Sequence, residues 1–394
     1  MIISISRYHF ILIISLLLIL VACAQQPSPK EPTPVASAPV TSREEPGSVY
    51  PAPSQVINSY PAPDAITNPI VPITIQSKYA VVFASERDGS PQYFIMELDG
   101  NNVQKLNLGN FSAGAAIELP VWSKEQQRFY YGVTFGGDSD IYSSNLDGSD
   151  LVNITDTPTQ FESQPTISPD GSQIAFVFVE LDLDIGIMNT DGSNRINLTL
   201  IPARDTNPMW MPDGSSILFL SNRQGTPNGY LSNLEGSEIR NISNGKGQDS
   251  FFAISPDGKR VAFQSDRDRL LDIFIVTLSD FQVFNLTKTT DQRERQPVWS
   301  PDGTKLAYSV EKDGKWDLFA IGADSSGLVQ LTHTPDAREL NYSWTPDGSK
   351  VIYSAEEDNG NSEVYTVDLS SGAITNLTNH PSKDSVPIII QLSD

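Results

Sequence analysis

The sequence predicts an all-β fold, a propeller of four-stranded blades around a central channel. Seven blades are favoured over six, with the C-terminal strand closing the ring. Three observations carry this expectation. A Pro-Asp-Gly turn recurs at nearly constant spacing, an apolar-hydroxyl pair closes each unit, and the segments between them are short, β-rich and free of a helical period.

The turn is taken first because it sets the frame. Ser168-Pro169-Asp170-Gly171 returns as Met211-Pro212-Asp213-Gly214, Ser255-Pro256-Asp257-Gly258, Ser300-Pro301-Asp302-Gly303 and Thr345-Pro346-Asp347-Gly348, with aspartates 43, 44, 45 and 45 residues apart. A degenerate copy starts at Ser123, 45 residues before Ser168. Proline presets one backbone angle and glycine accepts a positive one, so each copy reads as a tight turn. The closing pairs are Ile154-Thr155, Leu198-Thr199, Ile242-Ser243, Leu286-Thr287, Leu331-Thr332 and Leu377-Thr378, with Leu106-Asn107 a weaker first member. Seven closures imply seven units between about residue 71 and the C-terminus.

Within a unit, four strands follow in order. Around Asp302 they are expected at 297–300, 306–309, 317–321 and 328–332, with Glu311-Lys312-Asp313-Gly314 as a polar loop. One such sheet cannot bury both faces, but blades packed radially bury each other, and closing the ring covers the end faces. Trp122, Trp210, Trp299 and Trp344 share one place on strand one and are expected to pack between blades. Two segments compete for the innermost strand of blade one, 71–75 and 385–390. The C-terminal one is favoured, because joining the two ends locks the ring.

The remaining residues at the N-terminus do not belong to this fold. Arg7 precedes an apolar run from Phe10 to Val21, short for a membrane span, and the run ends in Leu20-Val21-Ala22-Cys23. Residues 1–22 read as a signal peptide. Cys23 resembles the lipidated cysteine of a bacterial lipoprotein box, which implies a membrane-anchored, extracytoplasmic protein on either the outer membrane or the outer face of the cell membrane. Residues 23–70 are a Pro-rich tether containing Tyr50-Pro51-Ala52-Pro53 and Tyr60-Pro61-Ala62-Pro63. Fully extended, it would reach on the order of 140 Å. Residues 71–394 are the propeller.

The Pro-x-Trp-Ser-Pro-Asp-Gly signature, followed by Leu-Ala-Tyr-Ser, Asp-Leu-Phe and Leu-Thr, resembles the propeller repeat of TolB-type proteins over about residues 79–390. The resemblance implies the fold but no single function, since propellers attached to serine peptidases and oligogalacturonate lyases use the same repeat. The peptidases keep their nucleophile on a separate domain, and no Gly-x-Ser-x-Gly elbow occurs here. The lyases use a histidine-rich metal site, whereas His333 and His380 are the only histidines beyond His9. No catalytic residue, cofactor or metal is therefore assigned. The alternating acids Glu180, Asp182 and Asp184, like Asp138 and Asp140, lack the glycine and distal glutamate of a full calcium loop.

One further pattern marks a candidate binding site. Glu162, Asp205, Asp249, Glu294, Glu339 and Asp384 stand three residues before the strand-one proline or its equivalent, and Glu118 is a near match offset by one. Propeller geometry gathers all seven at one mouth of the channel. They are expected either to shape their loops through local hydrogen bonds or to form a negative ring for a cation or a basic peptide segment. Arg267, Arg269, Arg293 and Arg295 are expected to pair with Asp266, Asp268 and Glu294 nearby; an anionic glycan is the other ligand they suit. The net charge of −22 argues against nucleic acid. The expected role is non-enzymatic binding of an envelope protein, with a carbohydrate-active or metal-dependent lyase as the alternative.

Overall fold

The computed structural model describes residues 72–392, apart from 110, 112–113, 158–159, 246 and 335–336. The signal segment, Cys23 and the Pro-rich stretch lie outside the described residues. The described residues form seven antiparallel sheets and no helix. Blade three shows the plan: Glu162–Ile167, Gln173–Val179, Leu183–Asn189 and Ile196–Asn197, running from the innermost to the outermost strand. Blades four to seven begin their innermost strands at Asp205, Asp249, Arg293 and Ala337. In blade two the innermost strand is broken into Ala116–Ile117 and Val121–Ser123, both paired with Arg128–Phe135.

The ring closes through the C-terminal segment. Asp384–Gln391 pairs antiparallel with Tyr79–Ser85, so the last residues of the propeller supply the innermost strand of the first blade. The competing segment runs elsewhere. Residues 72–78 pass along the outer edge of blade one, where the Thr74 amide donates to Gln104 Oε1 (3.0 Å) and the Gln76 amide to Glu97 Oε1 (2.7 Å). Ile73 and Ile75 pack against the core there.

Core packing follows from the radial plan. The second strand of every blade is buried along nearly its whole length, because each of its faces meets a neighbouring blade. Seven apolar clusters result, one per junction. The cluster joining blade seven to blade one sets Ile352 and Val364 against Val81, Phe83 and Met96. The tryptophans bridge the same junctions. Each indole donates to a strand-one carbonyl of the preceding blade: Trp210 to Thr166 (3.1 Å), Trp299 to Ala253 (3.0 Å) and Trp344 to Val298 (3.0 Å). Trp122 donates to Gln391 (2.7 Å), repeating the contact across the closure itself.

Local differences from the expected strands have a simple cause. In blade six the first three strands are longer than the apolar runs, spanning Arg293–Trp299, Lys305–Lys312 and Lys315–Gly322, while the fourth is the shorter Val329–Gln330. Glu311 and Lys312 are therefore strand residues and not loop. Only Asp313 and Gly314 turn, at φ of 54° and 79°. A two-residue turn with both angles positive matches the twist of the flanking strands, so pairing continues to the hairpin tip.

Candidate functional site: the inner acids and the loops above them

The antiparallel order puts the loops entering strand one and the loops between strands two and three on one face of the ring, here termed the entry face. Six of the seven predicted acids stand there at the start of an innermost strand. Glu162, Asp205, Glu294, Glu339 and Asp384 have no exposed surface, and Asp249 is 1% exposed. Their carboxylates are buried beneath the entry face and not displayed on it. Glu118 is half-buried in the break of the blade-two strand, where it accepts the Gln164 amide (2.8 Å). Gly132 gives it room: a Cβ there would lie 2.5 Å from Glu118 Oε2.

Two residues after each of the six acids the backbone turns to positive φ, at Gln164, Asn207, Phe251, Gln296, Asn341 and Val386. The strand bulges at that point and its register shifts. The bulge turns the acid inward into the blade. It also frees amides that neighbouring blades satisfy: Gln164 Oε1 accepts from the Asn207 amide (2.9 Å) and Gln264 Oε1 from the Gln296 amide (3.1 Å).

Four acids meet a guanidinium. Asp384 pairs with Arg87 (2.9 Å), Glu162 with Arg195 (2.8 Å), Asp205 with Arg223 (3.0 Å) and Asp249 with Arg267 (2.9 Å). Arg267 thus reaches an acid 18 residues away in sequence and not its neighbours Asp266 and Asp268. Arg293 and Arg295 both face Glu311, at 3.6 and 2.9 Å. Glu294 and Glu339 have no arginine partner among the described residues.

The closing hydroxyls explain their own recurrence. The hydroxyls of Thr155, Thr199, Ser243, Thr287, Thr332 and Thr378 each accept an amide of strand three, at 2.8–3.0 Å. Most also donate to the side chain at the head of that strand, as Thr287 does to Asp272 (3.3 Å). A second threonine then carries the contact to the next blade. Thr157 links Asp140 to Glu162, Thr289 links Asp272 to Glu294, and Thr334 links Asp317 to Glu339. Burial pushes the carboxyl of Glu294 up to about 7, with Asp272 adding to the effect against the lowering by Thr289 and Gln292. Burial and the charge of Asp317 push Glu339 up to about 8. Glu162 and Asp205 are raised by burial despite their arginines, and Glu118 is raised by burial.

The other singled-out residues do not converge. His333 is exposed, and His380 accepts the Ser382 amide at Nδ1 (3.2 Å). Asp184 is buried and bonded to Asn197 and Thr199. Among the described residues no three histidine or acidic side chains come together as a metal site. Sequence reasoning missed the loops above blade three, where Leu181 is 91%, Leu200 78% and Ile201 54% exposed, next to Val179 at 40%. It also missed Arg87, Arg223 and Arg267 as a set, although a Ser-x-Arg spacing at the end of strand two marks all three.

Seven blades, six of them with the same bulge, acid and hydroxyl at the entry, define a β-propeller built from a single repeat. The chain belongs to the TolB beta propeller domain family, matched over residues 112–294 and 255–391. It is 27% identical over 180 residues to the Tol-Pal system protein TolB of Francisella tularensis, which covers 43% of this chain and 40% of that protein. The chain thus spans about two fifths of the length of that relative. Among solved structures it is similar to a puromycin-hydrolyzing peptidase of Mycobacterium tuberculosis, at 16% identity and a TM-score of 0.60, covering 77% of this chain and 52% of that one. It is also similar to the oligogalacturonate lyase of Vibrio parahaemolyticus, at 13% identity and a TM-score of 0.56, covering 77% and 85%. At these identities the likeness is one of fold.

Proposed function

We propose that the protein is a lipid-anchored, extracytoplasmic, non-catalytic module that binds another envelope protein through its entry face. The observation that carries this reading is the apolar patch of blade three. Leu181 lies between strands two and three, and Leu200 and Ile201 lie between blades three and four. Both loops leave the same edge of the blade, where Asn197, the last residue of strand four, donates from Nδ2 to Glu180 Oε2 (3.5 Å). A cluster of exposed aliphatic side chains on a rigid ring is the kind of surface that association covers. Glu180 and Asp182 border it, so a partner segment carrying basic as well as apolar side chains suits it. The inner acids, Glu118, Glu162, Asp205, Asp249, Glu294, Glu339 and Asp384, hold the loops in place from beneath through their hydrogen bonds and ion pairs. The envelope setting is supported by the cysteine at position 23 behind an apolar run and by the Tol-Pal name of the relative.

Two measurements test the reading. Labelled palmitate should enter the wild-type protein and not a Cys23→Ala variant; equal labelling of both would remove the anchor. Cross-linking in intact cells should give one discrete adduct that Leu181→Asp with Leu200→Asp abolishes while the melting temperature stays unchanged. An adduct that survives those substitutions would move the contact surface elsewhere.

A further inference from the structure

Blades one, four and five each hold an arginine in the same cradle. The guanidinium donates to the inner acid, and its Nε donates to a serine paired opposite that acid: Ser85 (2.8 Å), Ser221 (2.9 Å) and Ser265 (2.9 Å). It lies against two aromatic rings, with Cζ 5.3 and 4.8 Å from Phe83 and Phe94, 5.2 and 4.9 Å from Phe219 and Tyr230, and 5.1 and 4.8 Å from Phe263 and Phe274. Blade three fills its cradle from a different chain position: Arg195, just before strand four, reaches Glu162 and lies over Phe176 and Phe178. A guanidinium thus meets the inner acid from another attachment point, although in blade three Phe178 holds the serine place and Gly186 the place of the second ring.

Blade seven has the same cradle without its own cation. The acid is Glu339, and the ring pair is Tyr353 and Tyr365, stacked at 5.7 Å and 22° against 5.9 Å and 21° for Phe263 and Phe274. Opposite Glu339 stands Ala355 in place of serine, and two residues on stands Glu357 in place of arginine. Glu357 accepts from Asn359 (2.9 Å). Among the described residues no cationic side chain lies over Tyr353 or Tyr365. Glu339 Oε2 is buried without a hydrogen-bond partner, as are Asp205 Oδ1 and Asp384 Oδ1 in the filled cradles, and one further observation sets the site apart. Tyr365 is half-buried, whereas the ring at its position is 5%, 2% and 3% exposed in blades one, four and five. Blade six differs: Lys312 holds the arginine position and pairs with Asp291, and Val310 replaces the serine.

We propose that blade seven carries a guanidinium-binding site, formed by Glu339, Tyr353, Tyr365 and Ala355, that takes an arginine-type group supplied from outside this chain. A delocalised, weakly hydrated cation over stacked rings with a carboxylate at its edge is the pairing already made three times within the blade plan. Among the described residues the other charges acting on Glu339 and Tyr365 are Asp317, Glu357 and Glu363, and all are acidic. The site is separate from the apolar patch of blade three, so either proposal can fail without the other.

The test is calorimetric titration of the full chain, in detergent micelles, with N-acetyl-arginine amide and with a short arginine-containing peptide. Binding is expected, weaker for the lysine analogue and absent for the citrulline analogue. The affinity should rise about tenfold between pH 7 and 9 as Glu339, pushed up by burial and Asp317 to about 8, ionises. The decisive variant rebuilds the internal arginine, Ala355→Ser with Glu357→Arg. It should fold, melt no lower than wild type and lose binding, and Tyr365→Ala should weaken binding at least about tenfold. Response to both probes places the source among small molecules as well as polypeptides, and response to the peptide alone restricts it to polypeptides. No heat with either probe at pH 9, or unchanged binding in the rebuilt variant, overturns the proposal.

Discussion

Val386 shows how much the fold demands of single residues. It is a β-branched side chain held at φ 53°, where its equivalents in blades four and seven are Asn207 and Asn341. Asparagine tolerates that region and valine does not. Val386→Asn should stabilise the protein by about 1 kcal/mol, read as a higher urea midpoint with an unchanged slope. The buried pairs work in the opposite direction. Among the described residues Arg267 is the only cation on Asp249, whose side chain is fully buried. Arg267→Met should cost about 3–5 kcal/mol. Adding Asp249→Asn should recover much of that loss, because the larger part of the penalty is the stranded charge. A double variant no more stable than Arg267→Met would show that packing of the guanidinium over Phe263 and Phe274, not its charge, carries the cost. The acid at each strand entry was legible from spacing alone. Its arginine was not, because the partner sits just past strand two, or before strand four in blade three, at a sequence distance that only strand pairing converts into contact.

At the scale of the element, the junctions between blades are not equivalent. Where an arginine is present the buried acid is neutralised by a fixed charge. At the junctions entering blades six and seven, Glu294 and Glu339 face only hydroxyl and amide groups and the second carboxyls Asp272 and Asp317. Their carboxyls, pushed up to about 7 and about 8, bind protons more tightly in the folded chain than in the unfolded one. Stability is therefore lost as pH rises from the ordinary glutamate range, and the loss is complete above about pH 8. It amounts to on the order of 3 kcal/mol for Glu294 and roughly 5 kcal/mol for Glu339. The melting temperature should fall between pH 5.5 and 9, and Glu294→Gln with Glu339→Gln should flatten that fall. A double variant with the wild-type slope would place the titration elsewhere. The closing Leu-Thr pairs were visible in the sequence as a repeat. Their purpose became visible only when each hydroxyl was seen accepting a strand-three amide.

For the whole molecule the consequential fact is closure. The innermost strand of blade one comes from residues 384–391, and the Trp122 indole ties blade two to it. A chain ending at Lys383 should lose the single cooperative urea transition and become open to trypsin in blades one and two, because two junction clusters lose Ile389 and Ile390 together. Retention of one sharp transition would show that seven blades close without the terminal strand. Trp344→Ala should cost about 3–5 kcal/mol, since it removes both a bridging hydrogen bond and a buried ring from the junction of blades six and seven.

The number of blades, their four-stranded plan, the place of the tryptophans and the strand that closes the ring were determined by the sequence. Each is a periodic feature, and repeated residues at one spacing carry the same local physics every time. Only the tertiary structure decided that the inner acids are buried, that most carry arginines from other strands, and that blade seven lacks one. The same is true of Leu181 and Leu200, which in sequence resemble any other aliphatic residues near a turn. Burial and pairing are set by which strands lie side by side and by how far each loop projects. Those distances are measured across the ring, and a linear spacing does not contain them.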